Sequence, residues 1–313
     1  MNRFPLKFKM FQGSTPLAGG LHAGGAFLIW GLSPLYWRIL TDVPPFEIIL
    51  HRIVWSLALL LPLVLLAGQT GDLIHLFARP RMLLLLCLTS LLVAVNWLIY
   101  IWAVNSGFVL QASLGYYINP LVNVMLGTLF LGERLTRRQG WAVALAALGV
   151  TIQTVDLGTI PWISLALAFS FGIYGLIRKM AAVEALVGLT METLILSIPA
   201  AGILVHLDLA GRGAFGSYGR ATDLILVGTA LVTAVPLLMF NIGARRIHLA
   251  TVGLLQYIAP SGMFLLAVLR FHEPVAPLRW VTFGLIWTAL GLYSADLLAM
   301  ARQRAQPIAP RRA

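Results

Sequence analysis

The sequence predicts an all-α integral membrane protein that crosses the bilayer ten times, as two inverted five-helix repeats. Three observations predict this fold: an apolar composition, a series of hydrophobic runs of membrane-spanning length, and an internal duplication. Hydrophobic residues make up 59% of the 313-residue chain and charged residues 11%, against about 45–50% and 25% in soluble domains. Because a soluble core of this size cannot enclose so much apolar surface, the chain requires lipid as its solvent.

Ten apolar runs follow one another along the chain, each near the roughly 20 residues that a helix needs to cross a bilayer. The predicted spans are 19–40, 46–67, 82–103, 109–131, 139–156, 160–177, 186–206, 223–243, 250–270 and 279–299. The fifth and sixth are short and are joined by a tight turn from Gly158 to Pro161. Residues 1–18 are predicted to form a cytoplasmic N-terminal tail, and residues 299–313 a basic cytoplasmic C-terminal tail. The first run lacks a small-residue cleavage site, so we interpret it as a retained helix and not as a signal peptide.

The chain also contains a duplication, visible when it is shifted on itself by 140 residues. This shift places Tyr117 on Tyr257, Pro120 on Pro260 and Glu133 on Glu273. The same shift aligns Ala94-Val95 with Ala234-Val235, Ile118 with Ile258, and Asp156 with Asp296. A shift of 141 residues aligns Gly31 with Gly172, and a shift of 137 aligns Glu47 with Glu184 and Pro62 with Pro199. The predicted repeats are 19–156 and 160–298. An odd number of spans in each repeat predicts that the second enters the membrane upside down, which is a common plan of transporters.

The basic residues of the loops predict the orientation of the chain. Sixteen of the 22 lysines and arginines fall on the side of the two termini, five fall on the other side, and Arg52 lies within a span. Because loops rich in Lys and Arg stay in the cytoplasm, both termini are predicted to be cytoplasmic.

Three segments resemble a known family. YYINPLVNVMLGTLFLGERLTRRQ, NWLIYIWAV and LAFSFGIYGLIRK are similar to the EamA repeats of the drug/metabolite transporter superfamily, and more narrowly to its RarD branch. The resemblance covers residues 20 to 298, and the segments at 96–140 and 164–179 are specific to the branch. It implies ten helices in two inverted repeats, a bacterial inner membrane, and carriage of a small organic molecule without a chemical reaction. One departure is His272-Glu273-Pro274 in the second copy where the first has Gly132-Glu133-Arg134.

Charged side chains inside a bilayer are costly, so they usually face the interior of the helix bundle and mark a functional site. The second span contains Glu47, His51 and Arg52, with Glu47 and His51 on one helical face. We predict that Arg52 lines a central cavity and pairs with Glu192 of the seventh span. The alternatives are that Arg52 extends to the headgroups and that Glu47 belongs to the outer loop region.

Further candidates for substrate binding are polar or aromatic residues of the other spans: Asn96, Trp97, Tyr116, Asn119, Tyr174, Gln256 and Tyr257. Such side chains also serve as hydrogen bonds between helices or as interfacial belts, and this alternative stays open. Pro120 and Pro260 each remove a backbone hydrogen bond within a helix, so they are candidate hinges as well as simple kinks. Glu133 is expected to pair with Arg134 or Arg137 in the loop.

Other classes of protein are disfavoured by what the sequence lacks. No stretch outside the membrane is long enough to fold as a domain, and neither a Walker loop nor metal-ligand spacing is present. The basic residues do not alternate with aromatics as in nucleic-acid-binding proteins. We therefore expect a secondary transporter of a metabolite or drug that works by alternating access without a cofactor. Glu47, His51 and Glu192 are the candidates for coupling transport to protons. The alternatives are a carrier or flippase of lipids or lipid-linked precursors and, less favoured, an intramembrane enzyme. A small-residue face at Ala142, Ala146 and Gly149 fits either internal packing or a homodimer.

Overall fold

The computed structural model describes residues 16–106, 108–270, 272 and 276–305, and over this part of the chain it contains helices and no strands. The helices of the first half are α1 (Pro16–Leu32), α2 (Pro34–Trp37), α3 (Pro45–Leu66), α4 (Thr70–His75), α5 (Pro80–Asn105), α6 (Val109–Leu131) and α7 (Arg137–Leu157). Those of the second half are α8 (Trp162–Met180), α9 (Ala185–Leu209), α10 (Arg220–Ala244), α11 (Leu249–Gln256), α12 (Ile258–Leu269) and α13 (Pro277–Ala305). Within the described ranges, eight segments are long and apolar enough to cross a membrane, α11 and α12 counting together as one.

Most of the predicted spans agree with the helices to within about three residues, and the main difference lies in the first span. The predicted run 19–40 is interrupted, because α1 ends at Leu32 and is followed by α2 and by a 3-10 turn at Arg38–Leu40. Pro34 explains the interruption, since a proline lacks the N–H that a continuing helix needs and restricts the residue before it. The short helix α4 in the loop after α3 is not predicted by hydropathy.

Local sequence signals set the ends of α6 and α7. Gly132 ends α6 with a left-handed φ of 63°, a conformation that glycine adopts without steric cost. The Thr136 hydroxyl caps the start of α7 by accepting a hydrogen bond from the backbone N–H of Gln139. The side-chain oxygen of Gln139 in turn accepts a hydrogen bond from the backbone N–H of Thr136. This reciprocal capping box satisfies donors that the first turn of a helix leaves free.

Helices of the two halves pack mainly against each other. The closest pairs are α6 with α8, α7 with α13, α1 with α10, α3 with α9 and α10, and α6 with α11. Many large apolar side chains point outward, among them Leu84, Leu129, Ile198 and Leu224, each more than 70% exposed. An apolar exterior around a packed interior is the arrangement that lipid favours.

The face of small residues on α7 packs within the chain. Ala142 and Ala146 are fully buried, and a Cβ at Gly149 would lie 3.4 Å from the carbonyl oxygen of Thr282 on α13. Small side chains allow two helix backbones to approach closely. Of the two uses left open by the sequence, this face serves internal packing.

Candidate functional site

A cavity lies where α3, α5, α8, α9 and α10 meet. Four of the predicted site residues line it: Arg52, Trp97, Tyr174 and Glu192. The other lining residues are Ile53, Ser56, Val93, Leu189, Thr193, Leu196, Thr233, Ala234 and Leu237. Its free volume is about 20 Å³, little more than one water molecule needs. The structure therefore has a small, mostly apolar pocket that contains one arginine and one carboxylate.

Arg52 is held in this cavity by contacts from three helical segments. Its Nε donates a hydrogen bond to Thr233 Oγ1 on α10 at 2.8 Å. The guanidinium carbon lies 4.9 Å from the centre of the Trp37 ring and 4.8 Å from that of the Trp97 ring, both within the range of cation–π attraction. These contacts direct the side chain into the bundle and not along the surface to the headgroups.

Glu192 pairs with an arginine, but not with the predicted one. Its Oε1 lies 3.4 Å from Arg178 Nε, and none of the ion pairs among described residues joins it to Arg52. The predicted Arg52–Glu192 pair is therefore wrong. Arg178 is one of the 16 basic residues that the sequence predicts on the cytoplasmic side, yet its side chain is only 1% exposed. It lies one helical turn after Tyr174 and thus shares a face with a cavity residue, a spacing that could have revealed it.

The Arg178–Glu192 pair is the centre of a buried polar network. Thr89 donates a hydrogen bond to Glu192 Oε1 at 2.6 Å, and the hydroxyl of Tyr174 lies 3.3 Å from Oε2. Asn241 on α10 donates to that hydroxyl at 3.0 Å. The network joins α5, α8, α9 and α10, and Thr89 and Asn241 were not identified from the sequence.

Gly188 on α9 makes room for the buried guanidinium. A Cβ at this position would lie 2.8 Å from Arg178 Cζ, closer than real side chains approach. Arg178 also donates from Nη2 to the carbonyl of Ala185 at 3.3 Å. The glycine therefore explains how an arginine fits between α8 and α9.

Glu47 and His51 lie outside the cavity, at the start of α3. Glu47 Oε1 accepts a hydrogen bond from the backbone N–H of Ala214 at 2.6 Å and lies 3.7 Å from His51 Nε2. The ring of His51 packs on Phe215 at 5.6 Å. Glu47 is only 3% exposed, and it lies in the first turn of α3 against the loop, which is near the outer loop region of the alternative interpretation. The two residues attach the loop between α9 and α10 to the end of α3.

The predicted amide residues make hydrogen bonds between helices. Asn96 donates to Leu167 O and Ser170 Oγ, both at 2.9 Å, and Asn119 donates to Ala168 O. Gln256 accepts from Asn123 at 3.0 Å. None of these amides belongs to the cavity lining. Their observed contacts fit the alternative in which such side chains hold helices together.

Two predicted tyrosines occupy different environments. Tyr257 is fully buried and donates from its hydroxyl to the carbonyl of Tyr117 at 3.0 Å. Tyr116 is 38% exposed, packs edge-on against Tyr100 at 5.9 Å, and lies near enough to Arg52 to interact with its charge. Tyr116 therefore belongs to the surroundings of Arg52, whereas Tyr257 belongs to the packing of α6 on α11.

Glu133 caps a helix and does not pair with Arg134 or Arg137. Its two carboxylate oxygens accept hydrogen bonds from the backbone N–H groups of Leu249 and Ala250, at 2.7 and 2.9 Å. Lys179 Nζ lies 3.8 Å away and donates to the carbonyls of Ala244 and Ile247. A carboxylate at the N-terminus of α11 is favoured by the helix dipole and the free N–H groups. Its duplicate Glu273 lies outside the described residues.

The two candidate hinge prolines differ. Pro260 follows an interruption at Tyr257 that separates α11 from α12, whereas α6 continues through Pro120. Both prolines remove a backbone donor, so the proline by itself does not account for the difference.

No group of three or more metal-binding side chains occurs in the ranges described.

Sequence comparison decides the family. The EamA-like transporter family matches residues 17–155. "Protein RarD" of Streptomyces exfoliatus is 45% identical over 285 residues, which span 91% of this chain and 90% of that protein. The chain belongs to the EamA-like transporter family, in its RarD branch. An "Uncharacterized transporter" of Vibrio cholerae serotype O1 is 47% identical to this RarD-branch protein over 279 residues, 89% of this chain and 92% of the relative. The "Chloramphenicol-sensitive protein RarD" of Pseudomonas aeruginosa is 32% identical over 292 residues, 92% and 97% of the two chains.

A crystal structure of another protein has the same fold as this RarD-branch chain, with a TM-score of 0.70 at 18% identity, over 93% of this chain and 99% of the other. With the eight apolar helices, the relatives establish a multi-pass membrane protein of a bacterial transporter family. Two of the relatives, from Vibrio cholerae and Pseudomonas aeruginosa, are named as transporters.

Proposed function

We propose that this protein is a secondary transporter that carries a small organic molecule across the bacterial inner membrane by alternating access. The observation that carries the proposal is the cavity inside the bundle, which is mostly apolar but contains charged groups, and to which the first half contributes Arg52 and Trp97 and the second half Tyr174 and Glu192. Because its free volume is small, cargo enters only after the helices move apart. This requirement is natural for a site that opens to one side at a time.

The proposal includes two inverted five-helix repeats, which the internal contacts support. If the two repeats are equivalent, α8 corresponds to α1, α10 to α5, and α12 to α6. The contact of α1 with α10 then corresponds to that of α8 with α5, and the contact of α1 with α12 to that of α8 with α6. Each of these pairs is in contact. The glycines matched by the duplication behave alike: a Cβ at Gly31 would meet Gly262 of α12, and one at Gly172 would meet Val122 of α6.

Equivalent positions also meet one another, as expected near a two-fold axis. Tyr257 donates its hydroxyl to the carbonyl of its duplicate Tyr117. Leu114 and Leu254, another pair separated by 140 residues, share the same buried cluster. The family match ends at residue 155, close to the predicted end of the first repeat at 156, which also supports the division.

The proposed orientation places both termini in the cytoplasm. Removing the buried Arg178 from the 16 basic residues leaves 15 against five, so the charge asymmetry that favours this orientation persists. If transport is coupled to protons, the arrangement favours Glu192 as the carrier, because it lines the cavity while Glu47 and His51 do not. A homodimer is not needed for this mechanism.

The proposal is tested by comparing metabolites of cells that lack the protein with those of cells that overproduce it. The leading compound is then taken into proteoliposomes at two pH values. We expect uptake that depends on the protein and saturates with concentration, and a pH effect that is lost in Glu192→Gln if protons are coupled. Transport of a headgroup-labelled lipid without uptake of any soluble compound would favour the flippase alternative instead.

A further inference from the structure

We propose that the cargo is a small organic anion and that Arg52 is its binding residue. This inference rests on the proposed transport function and adds the chemical class of the substrate. It follows from the balance of charge in the cavity, from the way Arg52 is held, and from the free end of its guanidinium.

The charges in the cavity are unequal. The carboxylate of Glu192 is compensated by Arg178 at 3.4 Å. Among the described residues, by contrast, no carboxylate lies within ion-pair distance of Arg52. The cavity therefore carries one uncompensated positive charge, and a guanidinium cannot be neutralised by losing its proton. An anion that enters the cavity supplies the missing partner.

The contacts of Arg52 leave its terminal nitrogens available. Thr233 accepts the hydrogen bond from Nε, and the indoles of Trp37 and Trp97 pack on the guanidinium. In the part of the chain that is described, neither Nη1 nor Nη2 of Arg52 donates a hydrogen bond to protein. A guanidinium fixed at Nε and on its faces presents these two N–H groups as a fork, which matches the two oxygens of a carboxylate or the oxyanion of a phosphate. Aromatic faces and a threonine hold the group without neutralising it.

The test measures binding to the whole protein in nanodiscs of zwitterionic lipid, with acetate and benzoate as probes and the neutral isosteres acetamide and benzamide as controls. We expect both carboxylates to raise the melting temperature with increasing concentration and the amides to leave it unchanged. Arg52→Gln should weaken carboxylate binding roughly ten- to hundredfold, because a charge-assisted hydrogen-bonded pair contributes that much. Arg220→Gln, which removes an exposed arginine at the start of α10, should bind as the wild type does.

Thr233→Val provides a second variant that keeps the charge. It should reduce carboxylate affinity less than Arg52→Gln, since it only releases the Nε anchor, and it keeps the proposal testable if Arg52→Gln does not fold. The inference would be overturned if acids and amides raised the melting temperature equally, or if acetate and benzoate left it unchanged. It would also be overturned if both variants bound carboxylates as tightly as the wild type. A shift produced only by phosphatidylglycerol in the nanodisc, and not by the soluble acids, would assign the anion to lipid and overturn the soluble cargo.

The outcomes separate this inference from the transport proposal. If proteoliposomes take up neutral compounds but the protein binds no carboxylate, the transporter remains and the anionic cargo is wrong. If carboxylates bind at Arg52 but no compound crosses the membrane, the site remains and alternating access is wrong.

Discussion

Glu192 and Arg178 form an ion pair that is nearly inaccessible to solvent, with exposed side-chain fractions of 5% and 1%. Burying two charges is expensive, and their attraction repays the cost only while both are present and hydrogen-bonded. Here Thr89 and Tyr174 complete the coordination of the carboxylate. The pair is therefore a point at which single substitutions should have large effects.

Glu192→Gln should lower the free energy of unfolding in detergent by about 3–5 kcal/mol, because it leaves Arg178 charged and buried without a counter-ion. Arg178→Met should cost less, since a carboxyl group can be neutralised by a proton and a guanidinium cannot. The double variant Arg178→Met/Glu192→Gln should lose less than the sum of the two single losses, and denaturant titration measures all three. Additive losses in the double variant would contradict an energetic coupling between the two side chains.

Gly188 should tolerate no side chain. Gly188→Ala places a Cβ against the guanidinium of Arg178, and overpacking of this kind typically costs about 1–3 kcal/mol. Gly202→Ala is the matched control on the same helix, because nothing lies within 4 Å of its Cβ position. This control should be neutral or gain up to about 1 kcal/mol from helix propensity. Thermal unfolding measures the melting temperatures of both variants. Equal melting temperatures would show that α9 shifts to accommodate the added Cβ at Gly188 without a loss of stability.

At the scale of the elements, the helices differ in what holds them together. Amide side chains and close backbone approach join α6 to α8 and α11, whereas α7 and α13 meet through small residues and apolar packing. Helix α6 continues through its proline, while its duplicate is divided at Tyr257. Only the divided helix therefore has a local break that a hinge could use.

Ala146→Leu should destabilise the protein by about 1–3 kcal/mol through overpacking, because Ala146 is fully buried between α7 and α13. Ala144→Leu, at an exposed position of the same helix, should leave the melting temperature nearly unchanged. Size-exclusion chromatography with light scattering provides the second measurement. A change of oligomeric state in Ala146→Leu without a loss of stability would contradict internal packing and indicate a contact between copies.

At the scale of the whole molecule, two carboxylates outside the cavity lining bind backbone N–H groups of other elements. Glu133 binds the start of α11, and Glu47 binds the loop between α9 and α10 at Ala214. Lys179 reinforces the first contact and His51 the second. Because each contact ties two elements together, breaking it should favour a conformation in which these elements separate on that side of the molecule.

A cysteine at the cavity residue Ser56, in a Cys87→Ser background, reports this opening. The measurement is labelling of Ser56→Cys by an impermeant maleimide. Glu133→Ala should increase this labelling only from the side of the membrane at which α11 begins. Glu47→Ala should increase it only from the opposite side. Right-side-out and inside-out vesicles distinguish the two faces. Glu184→Ala, which removes a carboxylate whose side chain is 68% exposed, is the control and should change neither. Increased labelling from the same face in both variants would exclude alternating closure by these residues.

Much of the helical pattern could be predicted from the sequence, because hydrophobic length and glycine or proline positions are local properties. The predicted span 109–131 coincides with α6. The break between α1 and α2 at Ser33 was not predicted, because hydropathy does not register the effect of the single residue Pro34. The candidate site was predicted less completely. Arg52, Trp97, Tyr174 and Glu192 reach the cavity, whereas Glu47, His51, Asn96, Asn119, Gln256 and Tyr257 make contacts elsewhere.

By itself, the sequence determined the membrane environment, the helical class and the positions of most helices, since these depend on composition and on periodicity within a segment. Only the tertiary structure decided that Glu192 pairs with Arg178, that Glu133 caps α11, and that Arg52 retains a free guanidinium fork. Each of these outcomes depends on which helices are neighbours and on how they are rotated about their axes. A charged side chain in lipid must find a partner, and helix packing determines which partner is within reach.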